Sequence, residues 1–226
     1  MKVFLLGGSG GIGQAIQTVF EERGCTVFAP SRAELDLHSP DSITEYLNKR
    51  NIQYESFDAI IHAAGYNVIH EFSELDDEEI QRSLQTNVLG FLRVIRPFMQ
   101  AFSRNRQGHV LVFSSLYGMF ARSGRLPYVL SKHALHGIVK TLALEFGSSN
   151  VLINGIAPGF VDTPMTRRNN DEATVNRIVN NIPLGRMATP TEIAQFAHFL
   201  CSKENSYITG QILTIDGGYS AGGFQR

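Results

Sequence analysis

Tryptophan is absent, cysteine occurs only twice, and no charge of one sign dominates. Twenty Lys and Arg stand against 21 Asp and Glu in 226 residues, for a net charge of −1. So even a balance supplies no field to hold nucleic acid or an anionic membrane. The arginine pairs Arg104 with Arg106 and Arg167 with Arg168 are too short for a binding stripe and read as solvated surface. Cys25 and Cys201 have neither CxxC nor metal-ligand spacing, so both read as buried free thiols, which fits a reducing compartment, and no metal site is expected. No run approaches the roughly 18 apolar residues of a membrane helix. Met1–Leu6 passes directly into a glycine turn, without the layout of a signal peptide. These absences point to a cytoplasmic protein with no nucleic-acid and no membrane partner.

Repeats, low-complexity tracts and Pro/Ser-rich linkers are also missing, so residues 1–226 read as a single domain. Short apolar runs at Val3–Leu6, Thr26–Ala29, Ala59–His62, His109–Phe113, Leu152–Ile156 and Gln211–Ile215 alternate with segments of helical period. The helical segments are Gly13–Arg23, Pro40–Lys49, Asp77–Phe102, Pro127–Phe146, Asp171–Asn180 and Pro190–Leu200. Alternation of this kind predicts an α/β fold, a doubly wound parallel sheet of about seven strands covered by helices on both faces. Glu34–Leu37 would supply one short strand, reached almost directly from the second. The tail Ser220–Arg226 is expected to be loosely ordered or to join an interface.

Gly7-Gly8-Ser9-Gly10-Gly11-Ile12-Gly13 follows the first strand and opens the first helix. Glycines there let the backbone turn sharply and approach a pyrophosphate, which then sits on free N–H groups at a helix N-terminus. The strand–turn–helix context predicts a dinucleotide site rather than a plain turn. After the second strand stand Ser31 and Arg32, which can donate to a 2′-phosphate, and no acidic residue occupies the strand end itself. That favours NADP(H), with NAD(H) kept open because Glu34 and Asp36 follow closely.

Tyr128 and Lys132 stand four residues apart, on one face of a helix. A tyrosine normally ionises near pH 10, and a neighbouring ammonium stabilises the phenolate. Such a pair can give a proton to a carbonyl oxygen or take one from an alcohol. Thirteen residues upstream, Ser115 follows the run His109–Phe113, at the strand end where open parallel sheets bind ligands.

With these residues in order, the chain resembles the short-chain dehydrogenase/reductase family in its compact single-domain form. The match runs through Gly7–Gly13, Asp36-Leu37, His62-Ala63-Ala64-Gly65, Asn87, Ser114-Ser115, Tyr128 and Lys132, and Asn154. It continues through Pro158–Pro164, Gly185-Arg186-Met187 and Thr209-Gly210-Gln211 to Asp216-Gly217-Gly218. The resemblance implies hydride transfer between nicotinamide and a small-molecule carbonyl or alcohol. Tyr128 would be the general acid/base, Lys132 would hold the nicotinamide ribose and depress the tyrosine pKa, and Ser115 would polarise the carbonyl. Asn87 would hold a water linking Lys132 to solvent. Val161 and Thr163 would contact the carboxamide, and Asp36 with Leu37 would flank the adenine. Gly7, Ser9, Gly10, Gly11, Ile12, Gly13, Ala63, Ala64, Gly65, Pro158 and Gly159 would line the remainder of the cofactor, with Tyr128 and Lys132 at its reactive end.

Departures from the family pattern are as informative. Leu6 replaces a threonine before the glycine loop. His62 replaces the first asparagine of Asn-Asn-Ala-Gly, and is expected to bond a backbone group rather than act in catalysis. The usual helix and much of the third strand are missing between the second strand and Asp36.

Pro164–Arg186 is expected to cover the site, and Tyr66, Tyr117, Phe120 and Phe160 to line an apolar pocket. The order of elements is similar to beta-ketoacyl-acyl-carrier-protein reductases, which makes an acyl carrier protein a candidate partner docking through Arg106. Ser149, however, stands where a second arginine would. The family also implies a homodimer or homotetramer. An NAD-dependent alcohol dehydrogenase is the nearest alternative. A sensor that binds NADP(H) without turnover is a third, and the presence of both Tyr128 and Lys132 argues against it.

Overall fold

Residues 1–49 and 51–223 are described in a computed structural model of the chain. Six parallel strands form one sheet: β1 (Lys2–Leu6), β2 (Thr26–Phe28), β3 (Ala59–His62), β4 (Gly108–Phe113), β5 (Val151–Pro158) and β6 (Ile212–Ile215), in the order β2-β1-β3-β4-β5-β6. Between them run α1 (Gly11–Glu22), α2 (Pro40–Lys49), α3 (Asp77–Leu84), α4 (Gly90–Asn105), α5 (Leu126–Phe146), α6 (Pro164–Arg168), α7 (Glu172–Asn180) and α8 (Pro190–Cys201). The chain leaves β1 toward β2 on one side and β3 on the other. The switch point of this doubly wound sheet therefore lies between the C-terminal ends of β1 and β3, where such sheets bind ligands.

Side chains of β1 alternate between the two faces, as the pleat requires. Phe4 and Leu6 pack with Phe91, Phe98 and Phe102 of α4 and with Val139 of α5, whereas Val3 and Leu5 pack with Ile16 and Phe20 of α1 and Ile193 and Ala197 of α8. Both faces are thus apolar, which is why the strands read as continuous hydrophobic runs. Cys25 and Cys201 are buried free thiols in the second of these layers. Thr189 and Glu192 close α8 with a capping box, the start signalled by Pro190. Among the described residues no helix is long and apolar enough to cross a membrane.

Among the described residues the strand count is six rather than about seven, because Glu34–Leu37 does not join the sheet. The N–H groups of Glu34 and Leu35 both turn back to the carbonyl of Ser31, at 3.1 and 3.0 Å, leaving no ladder to pair. Leu35 and Leu37 still bury their side chains in the core. This shortened segment presses on the next crossover. A Cβ at Gly90 would fall on the carbonyl of Leu37, so only glycine fits there. The helix expected over Asp77–Phe102 is interrupted just before this contact by a wide π-type turn at Gln85–Leu89, the kind of distortion that recurs at functional sites. Residues 224–226 of the tail lie outside the described residues. Its first part, Ser220–Gly223, is tied back, with Ser220 N–H donating to Asp216 at 2.7 Å.

Candidate active site

The C-terminal ends of β1, β3, β4 and β5 open into two clefts that share Gly10, Ala63, Ala64, Gly65 and Met165. The first, about 240 Å³, is lined by Gly7, Ser9, Gly10, Arg32, Asp36, Leu37, Ala63, Ala64 and Gly65. The second, about 180 Å³, runs from Gly10, Gly11, Ile12 and Gly13 to Ser115, Tyr128, Lys132, Pro158, Gly159, Val161 and Thr163. A Cβ at Gly13 would fall on the Gly7 carbonyl, and one at Gly7 (φ +89°) on the Ala64 backbone, so the turn exists only as glycine. The first turn of α1 carries neither a side-chain cap nor an acidic residue, which leaves its N–H groups to an anion. An elongated dinucleotide fits this donor set and these joined clefts.

Ser31 and Asn87 are not brought to the clefts. Ser31 is exposed, and its N–H and hydroxyl both donate to Glu34, at 3.0 and 3.1 Å. Arg32 does line the first cleft, in a 3.4 Å ion pair with Asp36. Asn87, in the π-type turn, is fully buried. Its amide accepts from Tyr66 N–H at 2.7 Å and donates to Tyr66 carbonyl and Ser131 Oγ, each at 2.9 Å. It therefore fastens the segment after β3 to α5, with its backbone carbonyl taken by His62 Nε2 at 3.0 Å. His62 has the backbone role expected of it, although its partner is this turn rather than a group beside the adenosine. Its ring stacks on Phe91 at 4.6 Å. Burial holds His62 far below the usual histidine range, at about 3, so it is neutral.

At the reactive end, Ser115 sits in extended backbone just past β4 and accepts from Tyr117 N–H at 3.2 Å. Tyr128 and Lys132 project from α5, and Lys132 Nζ lies 5.3 Å from the Tyr128 ring centroid. Lys132 is 3% exposed and donates to the carbonyl of Phe113 at 2.6 Å. Burial dominates both pKa values. It raises Tyr128 to about 12 against the opposing hydrogen bond from Ser115, and lowers Lys132 to about 8. The expected depression of the tyrosine by Lys132 does not appear: after the Ser115 hydrogen bond, the cation that lowers it is Arg125, and desolvation outweighs both. Ser114 instead bonds His136 at 2.7 Å, a structural contact.

Thr163 caps α6, and Arg167 clasps Asp162 with two 2.7 Å bonds, fixing the start of the segment Pro164–Arg186. Arg104 likewise pairs with Glu55 at the surface. Tyr117, Phe120 and Phe160 line a neighbouring cleft of about 540 Å³ with Tyr219, whereas Tyr66 lines the first cleft instead, its ring under Arg82. Met165, within the segment expected to lie over the site, touches both cofactor clefts, and two residues without a sequence motif, Asn67 and Arg125, line a third, beside Ser115 and Tyr128. Arg125 had one available signal, its place one turn before Tyr128.

Comparison with known proteins agrees with this geometry. A family model described as enoyl-(acyl carrier protein) reductase matches residues 11–220. The 3-oxoacyl-acyl-carrier-protein reductase of Chlamydia muridarum is 32% identical, over 94% of each chain. That of Escherichia coli K12 is 30% identical, again over 94% of each. Among solved structures, a 4-hydroxyisoleucine dehydrogenase complexed with NADH superposes with a TM-score of 0.91 at 27% identity, covering 98% of this chain and 100% of that one. A 3-oxoacyl-acyl-carrier-protein reductase from Brucella melitensis with bound NAD gives 0.85 at 26% identity, over 96% and 90%. The chain belongs to the short-chain dehydrogenase/reductase family, oxidoreductases acting on CH–OH and C=O groups with a nicotinamide dinucleotide.

Proposed function

We propose that this protein is an NADPH-dependent reductase of a small-molecule carbonyl, working by Tyr128, Ser115 and Lys132. The supporting observation is that these three side chains line one end of a continuous cleft whose other end holds the glycine turn and Arg32. The bound dinucleotide supplies the hydride. The glycine turn and the first turn of α1 would hold its pyrophosphate, Arg32 its 2′-phosphate, and Val161 and Thr163 its carboxamide.

The chain's own residues then manage one proton. With a pKa of about 12, Tyr128 stays protonated at neutral pH and stands ready as a donor to the oxygen of a carbonyl being reduced. Ser115 adds a second hydrogen bond to that oxygen, where negative charge develops. Below pH 8 Lys132 is charged and stabilises the tyrosinate left behind. Asn87 acts by fixing the turn behind Lys132, with Gly65 between them: a Cβ there would lie 3.8 Å from both Asn87 Oδ1 and Lys132 Nζ.

An NAD-dependent alcohol dehydrogenase is the second reading, favoured by Asp36 in the adenosine-end cleft and by solved relatives that carry NADH or NAD. Titration with NADPH and NADH, followed by nicotinamide fluorescence, separates the two. Tighter NADPH binding supports the first reading, and tighter NADH binding replaces it with the second.

An acyl carrier protein as partner gains support from the relatives' printed activity. Arg106 does not serve it within one chain: it precedes β4 and donates to Ser148, whereas Ser115 follows β4, roughly 20 Å along the strand. A homodimer or homotetramer is supported by exposed Leu89, Leu130 and Leu144 on the long helices and the turn before α4. The buried, unpaired thiols support a cytoplasmic setting.

A further inference from the structure

Arg125 stands at the N-terminal boundary of α5, one turn before Tyr128. It is only 5% exposed and lines the same cleft as Ser115, Tyr128 and Pro158. Yet among the described residues no carboxylate lies within ion-pair distance of it. The charged neighbours that face it do not neutralise it. Its titratable neighbours are the phenols Tyr117 and Tyr128, neutral when protonated, and a second cation, Arg122, whose guanidinium donates to Tyr117 Oη at 3.1 Å. Burying a charge without a partner is costly, and an arginine does not escape by losing its proton. The N-terminal end of the 21-residue α5 adds positive potential at the same place.

A second orphan shares the cleft. Asn67 Oδ1 is buried without a hydrogen-bond partner, so it lacks a donor just where Arg125 lacks an acceptor. This part of the site is small, about 120 Å³, and the guanidinium fork matches a planar carboxylate. A neutral ketone or thioester would leave Arg125 unpaired.

We infer that the substrate is a short oxo acid (or, in reverse, the hydroxy acid), its carboxylate held by Arg125 while its carbonyl oxygen meets Tyr128 and Ser115. This rests on the carbonyl-reductase reading above. In the forward step the carbonyl carbon gains hydride from NADPH, its oxygen gains the Tyr128 proton, and the hydroxy acid and NADP⁺ leave. The tyrosinate recovers its proton from solvent. Asn67 would accept from a hydroxyl or amino group on the acid.

The test is calorimetric titration of the full chain saturated with NADP⁺, which prevents turnover, with acetoacetate, its methyl ester and inorganic phosphate. Acetoacetate is expected to bind at least tenfold more tightly than the ester. Arg125→Gln should erase that preference while leaving NADP⁺ affinity unchanged and the thermal midpoint no lower than that of the wild type, and Arg125→Lys should restore part of it. In NADPH oxidation with acetoacetate, Arg125→Gln should act mainly on KM. Equal binding of acid and ester, no binding of either, binding of phosphate alone, or indifference to Arg125→Gln would each overturn the inference. Acid-selective binding with no NADPH oxidation by any carbonyl would instead retain the anion site and overturn the reductase reading.

Discussion

Lys132 Nζ donates to the carbonyl oxygen of Phe113 at 2.6 Å, so an almost wholly buried ammonium is held at the last residue of β4 by a backbone acceptor. The folded protein lowers its pKa to about 8 from an ordinary 10.5, which is a cost of folding. At and below pH 8 folded and unfolded chains both carry the proton and the full cost is present. Between about 8 and 10.5 the unfolded chain binds more protons, so stability rises with pH across that window. Lys132→Met should therefore stabilise the protein near neutrality by about 2–3 kcal/mol while removing turnover. Chemical denaturation of both proteins at pH 7 and pH 10 measures this, and the difference between them should shrink at pH 10.

His62 acts with the same sign at the acid end. Held neutral at about 3 in the folded state, it binds a proton near 6.5 when unfolded. The unfolded chain thus takes up more protons between about pH 6.5 and 3, and stability falls as pH is lowered through that range, by about 1.4 kcal/mol per unit. His62→Asn should flatten this acid limb. Thermal midpoints of both proteins from pH 7 to 4 provide the check, and parallel curves would show that another group is responsible.

Gly13 tests the cofactor cradle. A side chain there would meet the Gly7 carbonyl, so Gly13→Ala must displace the turn that faces the pyrophosphate. Its NADPH affinity should fall more than tenfold, measured by nicotinamide fluorescence.

Arg32 tests the 2′-phosphate. Its present bond is an exposed ion pair to Asp36, which is worth little and is readily exchanged for phosphate. Arg32→Ala should weaken NADPH by about tenfold and leave NADH nearly unchanged. Equal losses for the two cofactors would remove the role.

Most of this site was legible in the sequence because its parts are local: a glycine turn on a strand, a Tyr and Lys one helical turn apart, a serine at a strand end. The central strands β1, β3, β4 and β5 were visible as apolar runs because both of their faces are buried, and the half-exposed edge strands β2 and β6 by their β-branched and aromatic residues. The turn at Ser31–Leu37 was not resolvable that way, since its apolar residues Leu35 and Leu37 enter the core without a ladder. Nor was the π-type turn of the long helix at Gln85–Leu89, whose neighbours Leu37 and Tyr66 are distant in sequence. Arg125 stayed hidden for a related reason. Its composition is that of a surface residue, and only the packing around α5 reveals that it is buried and unpaired.

The central claim is that Tyr128 delivers the proton during carbonyl reduction. The most direct measurement is the steady-state rate of NADPH oxidation with a responsive carbonyl for the wild type and Tyr128→Phe, beside NADPH binding to each. Tyr128→Phe should lose kcat by about 10²–10⁴-fold with cofactor affinity nearly intact. A variant that kept most of its rate would contradict the claim.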